Sequence, residues 1–95
     1  MEPNLKPGRK FIEAGAAACS DAEILAILIG SGGPGYSALD CANSILDKIG
    51  TLPSLMDKPL QDLAEVRGIG AVRAIRIAAA FELVCRIVKY LETNE

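Results

Sequence analysis

The residues best equipped for chemistry lie in one stretch, Val66-Arg67-Gly68-Ile69-Gly70-Ala71-Val72-Arg73-Ala74. Two glycines flank one apolar residue, between two patterns of helical spacing. Leu60, Leu63 and Ala64 precede the glycines; Ala74, Ile77, Ala78, Phe81, Val84, Cys85 and Val88 follow them. A tight turn at the start of a helix leaves backbone N–H groups without intrahelical partners. Those donors and the positive end of the helix dipole can hold a phosphate. The Gly70 and Val72 amides are the expected donors. Arg73 and Arg76, in the first turns of that helix, are the expected cations, with Arg67 in the turn as a third. Ile69 and Ala74 are read as structural, one plugging the core and the other permitting close helix packing.

The arrangement resembles the helix-hairpin-helix motif, which binds the nucleic-acid backbone without reading sequence. Charge distribution agrees. The net charge is -2, yet residues 66–91 carry five basic side chains (Arg67, Arg73, Arg76, Arg86, Lys89) against one acid, Glu82. A local basic surface can bind phosphates on an acidic protein. A solvated helix accounts for Arg86 and Lys89, where the dipole favours cations. It accounts less well for Arg73 and Arg76, near the unfavourable end.

A second loop, Gly30-Ser31-Gly32-Gly33-Pro34-Gly35-Tyr36-Ser37, comes close to the P-loop pattern Gly-x4-Gly-Lys-Ser/Thr. A P-loop needs its Lys at the β/γ-phosphates and a parallel sheet behind it. Tyr36 occupies the Lys position and the chain is too short and helical for the sheet, so nucleotide hydrolysis is excluded. Two readings stand: a plain connection, or a second phosphate site at Gly35, Tyr36 and Ser37, with Tyr36 stacking on a base or sugar.

No catalytic constellation is present. The chain has no histidine, so no Ser-His or Cys-His pair can form. Asp21/Glu23 and Asp62/Glu65 fit helix starts and solvated faces better than acid–base pairs. Cys19, Cys41 and Cys85 are widely spaced in apolar surroundings and read as reduced core thiols of a cytoplasmic protein; no Cys-x-x-Cys pair suggests zinc. No cofactor is implied. The start, Met1 to Gly8, is polar and Pro-rich, unlike a signal peptide, and no apolar run approaches ~20 residues.

The elements that must position the glycine turn follow from local signals. Ninety-five residues, 51% hydrophobic but only 4% aromatic, suit one small all-α domain with an aliphatic core. Residues 1–8 read as a flexible lead, followed by a short helix from Arg9 to Ala14. Ser20-x-x-Glu23 is a capping box before a helix ending at Gly30; Ser37 and Asp40 cap another that runs to Gly50. Thr51 is expected to cap a short turn, Leu52 to Met56. Pro59 suits a first helical position. Residues 59–91 then form the helix-hairpin-helix unit of a compact bundle of about five to six short helices. The last helix is apolar nearly all round, so it is expected to run through the bundle or to carry a further contact surface.

Taken together, three stretches resemble the N-terminal domain of the RadC family, bacterial proteins named for DNA repair. Gly15 through Leu28 is similar to the family's Gly-x-x-x-Leu-Ser-Asp-x-Glu-Leu-Leu-Ala. Gly30-Ser31-Gly32 through Gly35-Tyr36-Ser37 is similar to its glycine-rich loop, and Gly68-Ile69-Gly70 with Ala74 to its Pro-Gly-Ile-Gly-x-x-Lys-Ala hairpin. The likeness spans roughly residues 5–90. Cys19 replaces a usual Leu, Tyr36 a common Lys, Arg67 a Pro and Arg73 a Lys. The resemblance implies a non-enzymatic DNA-binding module, and a separate JAMM-type, metalloprotease-like C-terminal domain that these residues do not include. An alternative role is protein–protein packing, against that domain or in a homo-oligomer. The first reading predicts that reversing Arg73 and Arg76 removes binding at little cost in stability.

Overall fold

The computed structural model describes residues 6–94. Six α-helices follow in order: α1 Pro7–Ala14, α2 Asp21–Ile29, α3 Ala38–Ile49, α4 Leu52–Leu55, α5 Leu60–Ala64 and α6 Gly70–Thr93. A 3₁₀ turn, Ala16–Ala18, joins α1 to α2. No strand forms among the described residues; one isolated bridge, Gly33 to Tyr36, closes a tight turn. The all-α bundle expected from sequence is the observed fold.

Local chemistry sets most boundaries. Both capping boxes form. Glu23 N–H donates to Ser20 Oγ at 3.2 Å and Ser20 N–H to Glu23 Oε1 at 2.7 Å. Asp40 N–H donates to Ser37 Oγ at 3.0 Å and Ser37 N–H to Asp40 Oδ2 at 2.8 Å. Each box satisfies two donors that a helix start leaves open. Gly15, Gly30 and Gly50 end α1, α2 and α3 at positive φ, where a Cβ would be strained.

Several expectations need correction. Helix α1 starts at Pro7, not Arg9, because proline's fixed φ and missing N–H suit a first helical position. The expected flexible lead of residues 1–8 therefore loses Pro7 and Gly8 to helix; residues 1–5 lie outside the described residues. Pro59 is the residue before α5, extended at ψ 146°, not its first helical residue. Thr51 caps no backbone N–H; its hydroxyl pairs with Ser54 Oγ at 3.1 Å. Of the three thiols, Cys41 alone is buried, whereas Cys19 and Cys85 are half-exposed.

The core joins Leu25, Ala26 and Ile29 of α2 to Cys41, Ala42 and Ile45 of α3, closed by Leu55, Leu63, Val66, Ile69, Ala74 and Ile77. Helices α2 and α3 form the main pair, and α6 lies against α5 and α2. Only the first half of α6 reaches the core, through Ala74 and Ile77 on one face. From Glu82 onward it projects from the bundle, which explains the 46 Å long axis against widths of 31 and 20 Å. The helix therefore does not run through the middle of the bundle, since Val72 and Ile75 of its first half are exposed as well.

Lys10 Nζ reaches both carboxylate oxygens of Glu23, at 3.0 and 3.1 Å, and so ties α1 to α2. The Ser20 backbone N–H, and then Lys10, hold the Glu23 carboxyl below its ordinary value. The unfolded chain binds the proton first as pH falls. Stability from this group is therefore intact above the ordinary glutamate range and is lost as pH drops through the lowered folded value. Glu23→Gln keeps an acceptor for Ser20 but removes the charge. Thermal melts between about pH 6 and pH 2 should show a flatter acid limb for the variant than for the parent.

Candidate functional site

The glycine turn sits where the expectations placed it, between α5 and α6, and its geometry is unusually constrained. Gly68 has φ 86° and Gly70 φ 65°. A Cβ on Gly68 would stand 2.7 Å from Cys41 Sγ and 2.8 Å from Tyr36 Cε2, whereas one on Gly70 would meet open space. Gly68 is therefore required twice, by conformation and by close approach; Gly70 by conformation alone. Ile69, 3% exposed, anchors the turn in the core, and Ala74 is fully buried beneath it.

The first turn of α6 carries no side-chain cap and no acid, unlike α2 and α3. Its leading amides, at Gly70, Ala71 and Val72, belong to exposed residues. Positive dipole and open donors thus face solvent together.

The three arginines differ. Arg67 and Arg76 are exposed, and among the described residues neither has a carboxylate within salt-bridge distance. Arg73 is half-buried and already engaged. Its Nη1 donates to Gly68 O at 2.8 Å and its Nη2 to Ser31 Oγ at 3.3 Å. One guanidinium thus ties the turn to the other glycine-rich loop. Arg76 also leans that way: a Cβ on Gly30 would lie 3.5 Å from its Nη1. There it faces the C-terminal carbonyl end of α2, which favours a cation.

The loop 30–37 is tightly built. Gly33 and Tyr36 exchange backbone hydrogen bonds of 3.0 and 3.1 Å around Pro34-Gly35, with Gly35 at φ 81°. That is the chemistry of a type II turn. The turn folds Tyr36 back, with its ring against Gly33 and Gly68. At the expected second phosphate site, Tyr36 N–H is bonded to Gly33 O and Ser37 N–H to Asp40 Oδ2. A carboxylate already holds the Ser37 donor. Sequence reasoning missed Ser31 as the partner of Arg73, because 42 residues separate them and no local pattern marks the pair. It also missed the Tyr36 fold-back, which the Pro34-Gly35 dipeptide signals.

Among the described residues, no group of three or more His, Cys, Asp or Glu could hold a metal, and no helix is long and apolar enough to cross a membrane.

Fold and site define a small all-α domain organised around a tightly turned helical pair. Compared with known sequences, residues 1–75 match the family model described as UPF0758 N-terminal. The protein belongs to the UPF0758 family through this N-terminal region, the one to which the RadC resemblance points. A UPF0758 protein of Xanthomonas euvesicatoria is 42% identical over 91 residues, 95% of this chain and 40% of its own length. One from Xylella fastidiosa is 43% identical over 81 residues, 85% of this chain and 36% of its own length. One from Paraburkholderia xenovorans is 36% identical over 83 residues, 87% of this chain and 33% of its own length. The chain thus spans between a third and two fifths of these relatives. No solved structure matches it.

The geometry separates the two glycines by substitution. Gly68→Ala should lower unfolding free energy by about 3 kcal/mol, combining strain and collision. Gly70→Ala should cost only about 1 kcal/mol. Denaturant titration of both variants measures the gap.

Proposed function

We propose that this domain is a non-enzymatic, sequence-independent DNA-binding module of a RadC-like repair protein. In this reading the turn at Gly68-Ile69-Gly70 is a helix-hairpin-helix, and one backbone phosphate docks on the Gly70 and Val72 amides. Arg67 and Arg76 supply the exposed cations. Arg73 adds its charge from a fixed position, because it also braces the turn. The observation that carries the reading is the coincidence of an uncapped, acid-free helix start with two exposed arginines, Arg67 and Arg76, that have no carboxylate partner among the described residues. Contacts of this kind position a backbone and read no bases. Expected Kd is ~10⁻⁴–10⁻⁶ M at physiological salt. Three free cysteines accord with a cytoplasmic setting.

Arg67→Glu with Arg76→Glu is the sharper test of contacts, since Arg73→Glu would also break the bonds to Gly68 and Ser31. Fluorescence anisotropy should show binding that weakens log-linearly with salt and is lost in the double variant. Its thermal stability should stay within about 1 kcal/mol of the parent. Undiminished binding would remove these arginines from the interface.

A second reading has its own observation. Leu83, Ile87 and Leu91 of the projecting half of α6 are 63%, 57% and 60% exposed, and Val84, Val88 and Tyr90 are exposed beside them. Such a surface exceeds what single scattered apolar residues produce, and it fits protein packing, against a JAMM-type C-terminal domain or a second copy. The two readings use different ends of α6 and are compatible. Leu83→Glu with Ile87→Lys should leave DNA binding unchanged and abolish any self-association seen by sedimentation at high concentration.

A further inference from the structure

A cavity among the described residues lies away from the amides of the glycine turn. It is a cleft of about 730 Å³ between the start of α1, the exposed side of α2 and the start of α3. Ala26, Ile27, Ala38 and Leu39 form apolar walls, Gly30 and Gly32 a narrow edge, and Ser31 and Ser37 bring hydroxyls. Its charged lining residues are Lys6 and Arg9, and no acid lines it. Arg9 bonds Glu13 through Nε at 2.6 Å, which leaves its outer guanidinium nitrogens as open donors. Gly30 and Ser31 are also the residues that Arg76 lies beside and Arg73 hydrogen-bonds. The cleft and the cationic hairpin therefore share one wall. Lys6 and Arg9 line the apolar slot itself, and Arg73 and Arg76 reach its Gly30–Ser31 edge.

We infer that this cleft accepts an unpaired base of the bound DNA strand, with the flanking phosphates held by Arg76 on one side and Lys6 on the other. The inference rests on the DNA-binding reading above and adds a preference for single-stranded segments. Three features fit that occupant. The volume suits a nucleoside. Apolar walls cover the faces of a base, while the Ser31 and Ser37 hydroxyls, whose oxygens accept from the Arg73 guanidinium and the Asp40 backbone N–H, keep protons to donate to its edge. Charge complements a phosphate on either side of the slot. A base inside a duplex cannot enter without leaving its stack, so the slot discriminates by pairing state rather than sequence.

The test uses the full chain and a fluorescein-labelled single strand of twelve thymidines, with a duplex of equal length as control. Ala38→Leu fills the slot from the start of α3 and leaves every arginine in place. We expect the parent to bind the single strand more tightly than the duplex, and Ala38→Leu to lose about tenfold on the single strand, the scale of one lost base contact, with duplex binding unchanged. Lys6→Glu, at an exposed position, should show the same selective loss and covers the case in which Ala38→Leu fails to fold, judged by circular dichroism. Parent-like binding of both probes by the folded variants would overturn the cleft and leave the hairpin reading intact. Failure of the parent to bind either probe at low salt would overturn both.

Discussion

The backbone of Gly68 lies in van der Waals contact with the Cys41 sulfur and the Tyr36 ring, and the rest of the arrangement depends on that approach. It brings the α5–α6 turn onto α3 and onto the folded-back loop in one place. With the turn seated there, Ile69 fills the core and Arg73 comes within reach of both the Gly68 carbonyl and Ser31. A side chain at position 68 would push these elements apart together, because interiors are packed too densely to absorb a methyl group locally. The fixed placement of the α5–α6 turn is thus a by-product of core packing. Open amides at a helix start are common; open amides whose direction is fixed by three neighbouring elements are more useful to a ligand.

The sequence was most legible where structure is decided by a few adjacent residues. Ser20 with Glu23 and Ser37 with Asp40 named two helix starts, because the hydrogen bonds involved span three residues. Gly15, Gly30 and Gly50 named three helix ends for a similar reason. The start of α1 was open to the same logic, since Pro7 is a good first helical residue, but a polar, Pro-rich lead obscured it. What local pattern could not give was the second use of side chains at a distance. Arg73 reads as a free cation in sequence and is a brace in the fold. Tyr36 reads as an exposed ring and lies on two glycines. Both depend on which surfaces the fold brings together, which no single window of sequence contains.

The candidate site therefore divides into parts that were legible and parts that were not. Composition, charge and the two glycines located the α5–α6 turn and its nearby arginines. The shared wall at Gly30 and Ser31, through which Arg73 of α6 meets the cleft, emerges only when α2, α3 and α6 are assembled. Both glycine-rich segments thereby belong to one surface, although helices α3 to α5 lie between them in the chain.

The projecting half of α6 has a geometric consequence. Because α6 is one unbroken helix, Leu83, Ile87 and Leu91 are phase-locked to Arg76 at the other end. Each residue along a helix advances about 1.5 Å and turns about 100°. Inserting or deleting one residue between Arg76 and Leu83 would swing the apolar stripe a quarter-turn or more around the axis, with every individual side chain unchanged. The helix is thus a shaft with a set angle between the arginine near its start and the apolar stripe near its end.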